Sequence, residues 1–546
     1  MTLALDTSVR AAGSRLRTGG VLLWAMLGVF FLVLAAPIAG LVVLAASPAA
    51  PGLGLSWNAA IAATVSETLI LLGGVGLLSA AIGVGAAWIV AMHRFPGRDL
   101  LAVMLVLPLA LPTYLAAYVA VELTDYFGPV QGALRALFGY RSRQDYWFFD
   151  LRSMPGAIIV LSLVLYPYVY LPARLMFERQ AARVIYAARL HGAQGLRLFF
   201  RIGLPLARPA VAGGVAFALL ETLNDVGAVE HFGIQSLSLA VRSLWLNRGN
   251  LPGAAQIALL CLILVMGILL AEHALRRHSF SASARAGAVL TPRALSGGMA
   301  LAAMLLCALP VLGGFVLPAL FLGAEAMRML AKIGITEDLM RALGNSLGLS
   351  ALAGVLVGIG GGCVALAARL LKGRLARLAP RISTLGYAIP GSVLVIALLP
   401  VFGALDDGLE KLGSGIIVSG SMGAILIAYV LRFTGIGITQ AEAALMRLSR
   451  NIDHAARTLG CGINRLAFRV LAPNITRGIG LAVLFAFVDA MKELPATLLL
   501  RPLNTETLAT SLYAHASSGT FENGAIEAVL LFGIGLVPVA LLARAR

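Results

Sequence analysis

Twelve long apolar runs restrict the fold of this sequence more than any other feature. Of its 546 residues, 60% are hydrophobic and only 12% are charged. A helix of about 20 residues crosses a bilayer core of ~30 Å, and continuous rather than alternating runs favour helices over a β-barrel. We therefore predict an all-α integral membrane protein with about 12 transmembrane helices, at approximately 20–46, 68–92, 99–121, 155–177, 207–224, 256–273, 297–321, 345–368, 383–404, 415–437, 478–500 and 524–543.

The basic residues indicate the orientation of these helices. The net charge is +17, and arginine or lysine clusters occur before the first run and after every second run. Examples are Arg10, Arg15 and Arg17 before the first run and Arg94 after the second. Cytoplasmic loops of membrane proteins carry such an excess. We predict a multi-pass protein with both termini in the cytoplasm, so the positive charge requires no nucleic-acid partner.

One motif occurs twice in loops that this charge pattern assigns to the cytoplasm. Each copy has two alanines, a glycine four residues after the second alanine and a proline thirteen residues after the glycine. The residues are Ala187, Ala188, Gly192 and Pro205 in the first copy and Ala455, Ala456, Gly460 and Pro473 in the second. Small residues admit a close partner, glycine permits a turn, and proline suits the first turn of a returning helix. A basic loop resting on anionic lipid is the alternative, but identical spacing in both copies favours docking of a two-fold partner.

The duplication extends over the whole chain. Residues 110–112 (ALP) correspond to 388–390 (AIP) at an offset of 278, whereas the two motifs are 268 residues apart. The first half therefore carries about ten extra residues, which we assign to the loop at roughly 123–154. Each half has six spans in the same orientation, which predicts a parallel repeat. We place the repeats at 1–290 and 291–546, with their cytoplasmic loops at about 178–206 and 444–474.

Acidic residues occupy equivalent positions near the outer end of the fifth span of each half. Glu221 and Asp225 are four residues apart, as are Asp489 and Glu493, and this spacing predicts one shared helix face for each pair. Acids at membrane depth are costly and tend to face an aqueous path, and carboxylates suit hard cations. We predict that these acids, with Lys492, line a cation pathway. The alternative is local helix-end structure in which Lys492 pairs with Asp489.

No motif predicts chemistry by the chain itself. The sequence has no H-E-x-x-H and no G-x-S-x-G pattern, so we predict no catalytic residues and no cofactor. His231 and His515, with Glu230 and Tyr513, lie in outer segments, where isolated histidines are more typical of solvated loops than of metal sites. We predict no resident metal ion.

The repeated loops resemble the E-A-A-x3-G-x9-I-x-L-P motif of ABC importer permeases. Tyr186 and His454 replace the glutamate, and Ala472 replaces the leucine before the second proline. Further segments resemble fused ferric-iron permeases: 166–171 (YPYVYL), 428–433 (AYVLRF) and, most specifically, 489–502 (DAMKELPATLLLRP).

This resemblance implies a transmembrane permease subunit of a binding-protein-dependent importer in the bacterial inner membrane, with ferric iron as its cargo. The sequence lacks the phosphate loop G-x-x-x-x-G-K-[ST], so ATP hydrolysis falls to two separate ABC ATPase subunits. A periplasmic or lipid-anchored binding protein delivers the substrate. Permeases for thiamine, polyamines and aminophosphonates share related plans and stay open as alternatives. A secondary transporter is the rival class, but it would need coupling acids deep in the spans.

Overall fold

The computed structural model describes residues 20–48, 59–180, 182–277 and 291–544, and these ranges are almost entirely helical. The only strands in them are His93–Arg94 and Arg293–Ala294, which pair in parallel with His93 opposite Arg293. The α-helices are Val21–Ala46, Ala59–Met92, Arg98–Met104, Thr113–Thr124, Pro129–Phe138, Met154–Leu175, Ala182–Leu190, Gly195–Leu198, Leu204–Asn224, Val226–His231, Leu237–Arg242, Leu251–Arg277, Gly297–Val311, Leu317–Lys332, Glu337–Leu370, Arg374–Ala388, Gly391–Lys411, Met422–Met446, Arg450–Thr458, Ile463–Arg465, Ala472–Asn474, Thr476–Met491, Pro495–Leu500, Leu508–Ser517 and Ala525–Arg544. Short 3-10 helices are Leu107–Ala110, Arg143–Asp145 and Phe521–Gly524, and π-helical turns are Met176–Gln180, Phe199–Gly203, Ser243–Asn247, Leu312–Val316 and Leu466–Leu471.

The helices confirm an all-α membrane protein with roughly the predicted number of spans. Nine helices in the described ranges are long and apolar enough to cross a membrane, and twelve spans result when each of three bent helix pairs counts as one. The bent pairs are Arg98–Ala110 with Thr113–Phe138, Met154–Leu165 with Pro167–Glu178, and Ile463–Asn474 with Thr476–Met491, with bends of 98°, 41° and 70°.

Two predicted spans are interrupted by a proline at equivalent positions of the two halves. Pro112 divides the predicted span 99–121, and Pro390 divides the predicted span 383–404. Both prolines have extended ψ angles, 139° and 143°, and each precedes the first residue of a new helix. Proline has no N–H to donate and disfavours a helical residue before it. The prediction of unbroken helices was wrong at both places, because hydropathy alone does not show where a proline ends a helix.

The chain forms two compact units that do not coincide with its sequence halves. One unit contains residues of 1–49 and 340–507, and the other contains residues of 50–339 and 508–546. In the first unit, helix Val21–Ala46 buries Leu23 and Leu27 in a core supplied by second-half helices. In the second unit, helix Gly297–Val311 buries Ala303 and Cys307 in a core supplied mainly by first-half helices. The first span of each half thus packs with helices of the other half.

The predicted repeats at 1–290 and 291–546 stay a prediction. The boundary at residue 290 lies outside the described residues, as do Arg10, Arg15 and Arg17. Two N-caps nevertheless support the shorter offset: Ser153 and Ser421, 268 residues apart, accept the N–H of Gly156 and Ala424 at 3.3 Å and 3.2 Å. The ten extra residues of the first half therefore lie between Pro112 and Ser153, where the structure has an additional helix, Pro129–Phe138.

Candidate functional site

Each copy of the repeated motif folds as a short helix followed by a glycine in the same conformation. Loop helix 1 is Ala182–Leu190 and loop helix 2 is Arg450–Thr458. Two residues beyond each helix, Gly192 has φ +80° and Gly460 has φ +76°. Glycine enters this left-handed region without the steric cost that a Cβ atom adds. The backbone conformation therefore explains why the motif contains glycine at this position.

The hydrogen bonds that close the two turns also correspond. The N–H of Ala193 donates to the carbonyl of Ala188 at 2.9 Å, and the N–H of Cys461 donates to the carbonyl of Ala456 at 3.0 Å. A six-to-one bond across a left-handed glycine is the Schellman motif, which ends helices by pairing their last carbonyl groups. The second alanine of each motif is therefore the acceptor that closes the turn.

Each loop helix exposes small and apolar side chains near this turn. Ala187 and Ala455 are exposed, and the neighbouring leucines Leu190 and Leu459 are 89% and 86% exposed. Each loop helix thus presents an exposed apolar side chain next to small residues at its turn.

The two loop helices are held in place by different contacts. In the first loop, buried Ile185 packs with Met92 and Leu198. In the second loop, Asp453 stands at the position equivalent to Ile185 and receives Nε and Nη2 of Arg369, each at 3.0 Å. Both charged side chains are nearly buried, with 10% and 13% of their areas exposed. Bidentate pairs of this kind combine charge with fixed geometry.

The residues that replace the motif glutamate have separate environments. The hydroxyl of Tyr186 accepts the N–H of Thr291 at 2.7 Å and lies 2.8 Å from its hydroxyl. Hydrogen bonding to the Thr291 side chain, and then to its backbone, lowers the pKa of Tyr186. The side chain of His454 is exposed. Tyr186 thus fixes a segment at the start of the second half to loop helix 1, a role that the sequence did not indicate.

The motif prolines lie at helix starts, with one difference. Pro205 is in the first turn of helix Leu204–Asn224, as predicted. Pro473 is the second residue of the three-residue helix Ala472–Asn474, and the returning helix Thr476–Met491 follows a bend of 70°. The second return to the membrane is therefore bent where the first is continuous.

The acidic residues lie at breaks in the fifth span of each half. Helix Leu204–Asn224 ends immediately before Asp225, and helix Thr476–Met491 ends two residues before Glu493. The predicted span 478–500 is consequently divided in two. The expectation that each acid pair shares one helix face was wrong, because the helix ends between its two members.

Asp225 and Glu493 instead perform the same structural task. The carboxylate of Asp225 accepts the N–H of Ala228 at 2.8 Å, and that of Glu493 accepts the N–H of Ala496 at 2.9 Å. Each acid therefore caps the short helix after the break, Val226–His231 or Pro495–Leu500. Acidic groups suit this place because the first N–H groups of a helix have no partner within it.

The surroundings of these two caps differ. Nη1 of Arg432 lies 3.6 Å from Oε1 of Glu493, and the two side chains are 5% and 4% exposed. Gly391 makes room for this ion pair, since a Cβ atom there would lie 2.5 Å from Oε1 of Glu493 and 2.7 Å from Nη1 of Arg432. At the positions equivalent to Gly391 and Arg432, the first half has Thr113 and Val164.

Asp225 consequently has no arginine opposite it. Thr113 lies beside its carboxylate, and no Lys or Arg within the described ranges forms an ion pair with it. The other predicted pathway residues, Glu221, Asp489 and Lys492, are half-buried. A cap without an ion pair in the described residues and an ion-paired cap thus occupy equivalent positions.

The outer histidines do not form a cluster with the acids around them. Glu230 accepts hydrogen bonds from Arg242 and from the hydroxyl of Tyr513, both at 2.6 Å, so its carboxylate is committed to structure. The ring of His231 packs edge-on against Tyr118 at 4.8 Å. His515 is half-buried. In the described part of the chain, no three His, Cys, Asp or Glu side chains are arranged to hold a metal ion.

The helical spans, the duplicated glycine turns and the capped breaks at equivalent positions together define a membrane permease built on a two-fold repeat. Residues 79–277 and 354–545 each match the family described as "Binding-protein-dependent transport system inner membrane component". These segments make up more than half of the chain, which therefore belongs to that family of ABC transport permeases and is a multi-pass membrane protein.

Individual relatives include both fused and half-length permeases. The chain is 24% identical over 494 residues to the Fe(3+)-transport system permease protein FbpB 2 of Haemophilus influenzae, covering 89% of this chain and 90% of the relative. It is 29% identical over 209 residues to the molybdenum transport system permease protein ModB of Escherichia coli, covering 37% of this chain and 88% of the relative. It is 28% identical over 209 residues to the sulfate transport system permease protein CysT of Salmonella typhimurium, covering 37% and 71%. Such proteins are transport subunits rather than catalytic enzymes.

Proposed function

We propose that this chain forms the complete membrane channel of an ABC importer for ferric iron in the inner membrane. One observation carries the choice of cargo. The Fe(3+) permease FbpB 2 matches along 89% of the chain, whereas the molybdenum and sulfate permeases match only 37% of it. The fused architecture is thus shared with an iron permease over both halves.

The repeated loops supply the coupling to ATP hydrolysis in this proposal. Loop helices 1 and 2, within the loops at about 178–206 and 444–474, each dock one ATPase subunit through the surface around Ala187 and Ala455. Their matching turns at Gly192 and Gly460 support equivalent docking of two copies of one partner. Closure of the ATPases on ATP then moves the two loop helices, and the compact unit that contains each of them rotates as a rigid body so that access alternates. A periplasmic or lipid-anchored binding protein delivers the cargo from the side opposite the cytoplasmic termini.

The capped breaks supply the pathway in this proposal. Asp225 and Glu493 are buried carboxylates where the helix is interrupted, with Glu221, Asp489 and Lys492 close by in sequence. Carboxylate oxygens are suitable transient ligands for a hard, highly charged cation. Of the two capping carboxylates, Glu493 is paired with Arg432 and Asp225 has no ion pair in the described residues, so we assign Asp225 the larger part in cation passage.

An anion importer is the second candidate. The half-length relatives are more similar locally, at 28–29% identity, and two of them are named for molybdenum and sulfate. Buried Arg432 would then face the cargo, and Glu493 would hold that arginine in place.

Uptake into liposomes distinguishes the candidates. The vesicles contain this chain with its ATPase subunit, and the binding protein is added outside with labelled ferric iron, sulfate or molybdate. We expect ATP-dependent uptake of ferric iron alone, reduced at least tenfold by Asp225→Asn and much less by Asp407→Asn, an exposed acid at the end of another span. Uptake of an oxyanion instead of iron would overturn the cargo. Iron uptake unaffected by Asp225→Asn together with Glu493→Gln, at normal protein levels, would overturn the pathway.

A further inference from the structure

A cleft of about 190 Å³ lies beside loop helix 1 and belongs to neither the docking surface nor the capped breaks. Its apolar walls are Trp88, Met92 and Leu198, and its polar lining includes His93, Arg189, Gln194 and Arg293. A water molecule occupies about 30 Å³ in the liquid, so the cleft has room for a group several times larger.

Backbone contacts bring the two arginines of this loop 1 cleft together. Arg189 is on the last turn of loop helix 1. Arg293 is on the short strand that pairs with His93–Arg94, and this strand is fixed further by the bonds between Thr291 and Tyr186. The cleft therefore lies between loop helix 1 and the paired strands, and hydrogen bonds hold these distant parts of the sequence together.

The positive charge of the cleft has no counter-charge nearby. In the ranges that the structure describes, neither Arg189 nor Arg293 has a carboxylate within ion-pair distance. Burial, and with it the charges of Arg189 and Arg293, lowers the pKa of His93. An anion in the cleft would therefore meet two guanidinium groups that have no ion-pair partner in the described residues.

Leucines replace the lining residues of this cleft at the equivalent positions of the second half. Applying the offsets of 278 and 268, the positions of Trp88, Met92, His93 and Leu198 are taken by four leucines, Leu366, Leu370, Leu371 and Leu466. These leucines are buried in one apolar core, with 2%, 5%, 8% and 0% of their areas exposed. In the described residues, these positions are thus part of an apolar core in the second half, whereas they line a cleft with polar residues in the first half.

We propose that the loop 1 cleft binds a phosphate group. Two guanidinium groups can each offer paired N–H donors to phosphate oxygens, and Gln194 adds an amide donor. His93 immediately follows the helix Ala59–Met92, so the cleft lies at the end of a helix long and apolar enough to cross a membrane. The phosphate belongs either to an anionic phospholipid headgroup or to a small phosphorylated solute, and both are recognised by the same donors. Because Arg189 is part of loop helix 1, a phosphate bound in the cleft would contact that helix directly.

The test measures binding of two probes to the purified chain in nanodiscs. Inorganic phosphate is titrated in phosphatidylcholine discs, and retention of phosphatidylglycerol is measured by native mass spectrometry after reconstitution in mixed discs. We expect the double variant Arg189→Gln with Arg293→Gln to weaken binding of the probe that the wild type retains by at least tenfold. Arg457→Gln, at the equivalent position in the second half, is the matched control and leaves binding unchanged.

The outcomes separate the sources. Phosphatidylglycerol that phosphate does not displace identifies a lipid site, and phosphate binding in neutral discs identifies a solute site. A second variant, His93→Leu, imitates the second half and is expected to weaken binding without removing either arginine, which guards against misfolding of the double variant. Binding of both probes unchanged in all variants would overturn the proposal. The proposal would also be overturned if the wild type binds neither probe and the double variant no longer associates with the ATPase. In that case the two arginines bind a carboxylate of the ATPase instead of a phosphate.

Discussion

Replacing the turn glycines by alanine is expected to weaken docking of the ATPase subunits without any steric clash. Gly192 and Gly460 have φ of +80° and +76°, and a Cβ atom at either position would have no neighbour within 4 Å. The cost is therefore the left-handed backbone conformation alone, about 1–2 kcal/mol for a residue with a Cβ atom. This corresponds to a decrease of about five- to thirtyfold in the equilibrium constant for closing each turn.

The assay is the affinity of the purified permease in nanodiscs for its ATPase subunit, together with ATP hydrolysis stimulated by the loaded binding protein. Gly192→Ala and Gly460→Ala should each weaken binding, and the double variant should lose about 2–4 kcal/mol if the turns act independently. Gly192→Asn should lose less, since asparagine tolerates the left-handed region. Gly360→Ala is the control, because this helical glycine also has open space around it and alanine favours a helix.

Affinity within twofold of the wild type for both alanine variants would refute this reasoning. It would mean that the Schellman turns do not position the docking surface. Equal losses for the alanine and asparagine variants would also count against it, because the backbone argument predicts a difference between them.

Two further predictions concern the contacts around the site. Gly391→Ala should cost about 1–3 kcal/mol by overpacking, since its Cβ atom would lie 2.5 Å from Oε1 of Glu493, whereas Gly403→Ala on the same helix meets nothing within 4 Å; thermal unfolding in detergent measures both, and equal melting temperatures would contradict the packing. Asp453→Asn should lower the free energy of unfolding loop helix 2 by about 1–3 kcal/mol, because the nearly buried guanidinium of Arg369 loses its charged partner. We expect faster trypsin cleavage in this loop. An unchanged rate would mean that the ion pair does not hold the helix in place.

The membrane-spanning character of the chain and its repeat could be predicted because both depend on short segments of the sequence. A run of apolar residues without charges has few alternatives to a membrane helix. Glycine and proline at fixed spacing report backbone geometry, and the structure places Gly192 and Gly460 in the same left-handed turn. The left-handed conformation of the turn thus explains why the motif has glycine at this position.

The helix breaks were missed although their signals were present. Pro112 and Pro390 occur at equivalent positions in both halves, and proline at such a position argues against a continuous helix. Hydropathy averages over about 20 residues and treats proline as one more uncharged residue. The break before Glu493 has a weaker signal, since only the following proline, Pro495, marks it.

Long-range partners could not be predicted from this sequence. Helix Val21–Ala46 is apolar on most of its surface, so nothing in its pattern says that Leu23 and Leu27 pack with second-half helices. The same limit applies to Arg432 and Glu493. They are 61 residues apart, and nothing in the sequence indicates that they form a pair. Gly391 shows the connection only when the structure places both charges beside it.

The most direct test of the account is the composition and energy source of the transporting complex. Native mass spectrometry of the complex should show one copy of this chain with two ATPase subunits, and liposomes containing it should take up the cargo of the binding protein only when ATP is present inside. Gly192→Ala with Gly460→Ala should reduce that uptake in proportion to the lost ATPase affinity. Uptake driven by an ion gradient without an ATPase subunit, or a channel that requires two copies of this chain, would contradict the account.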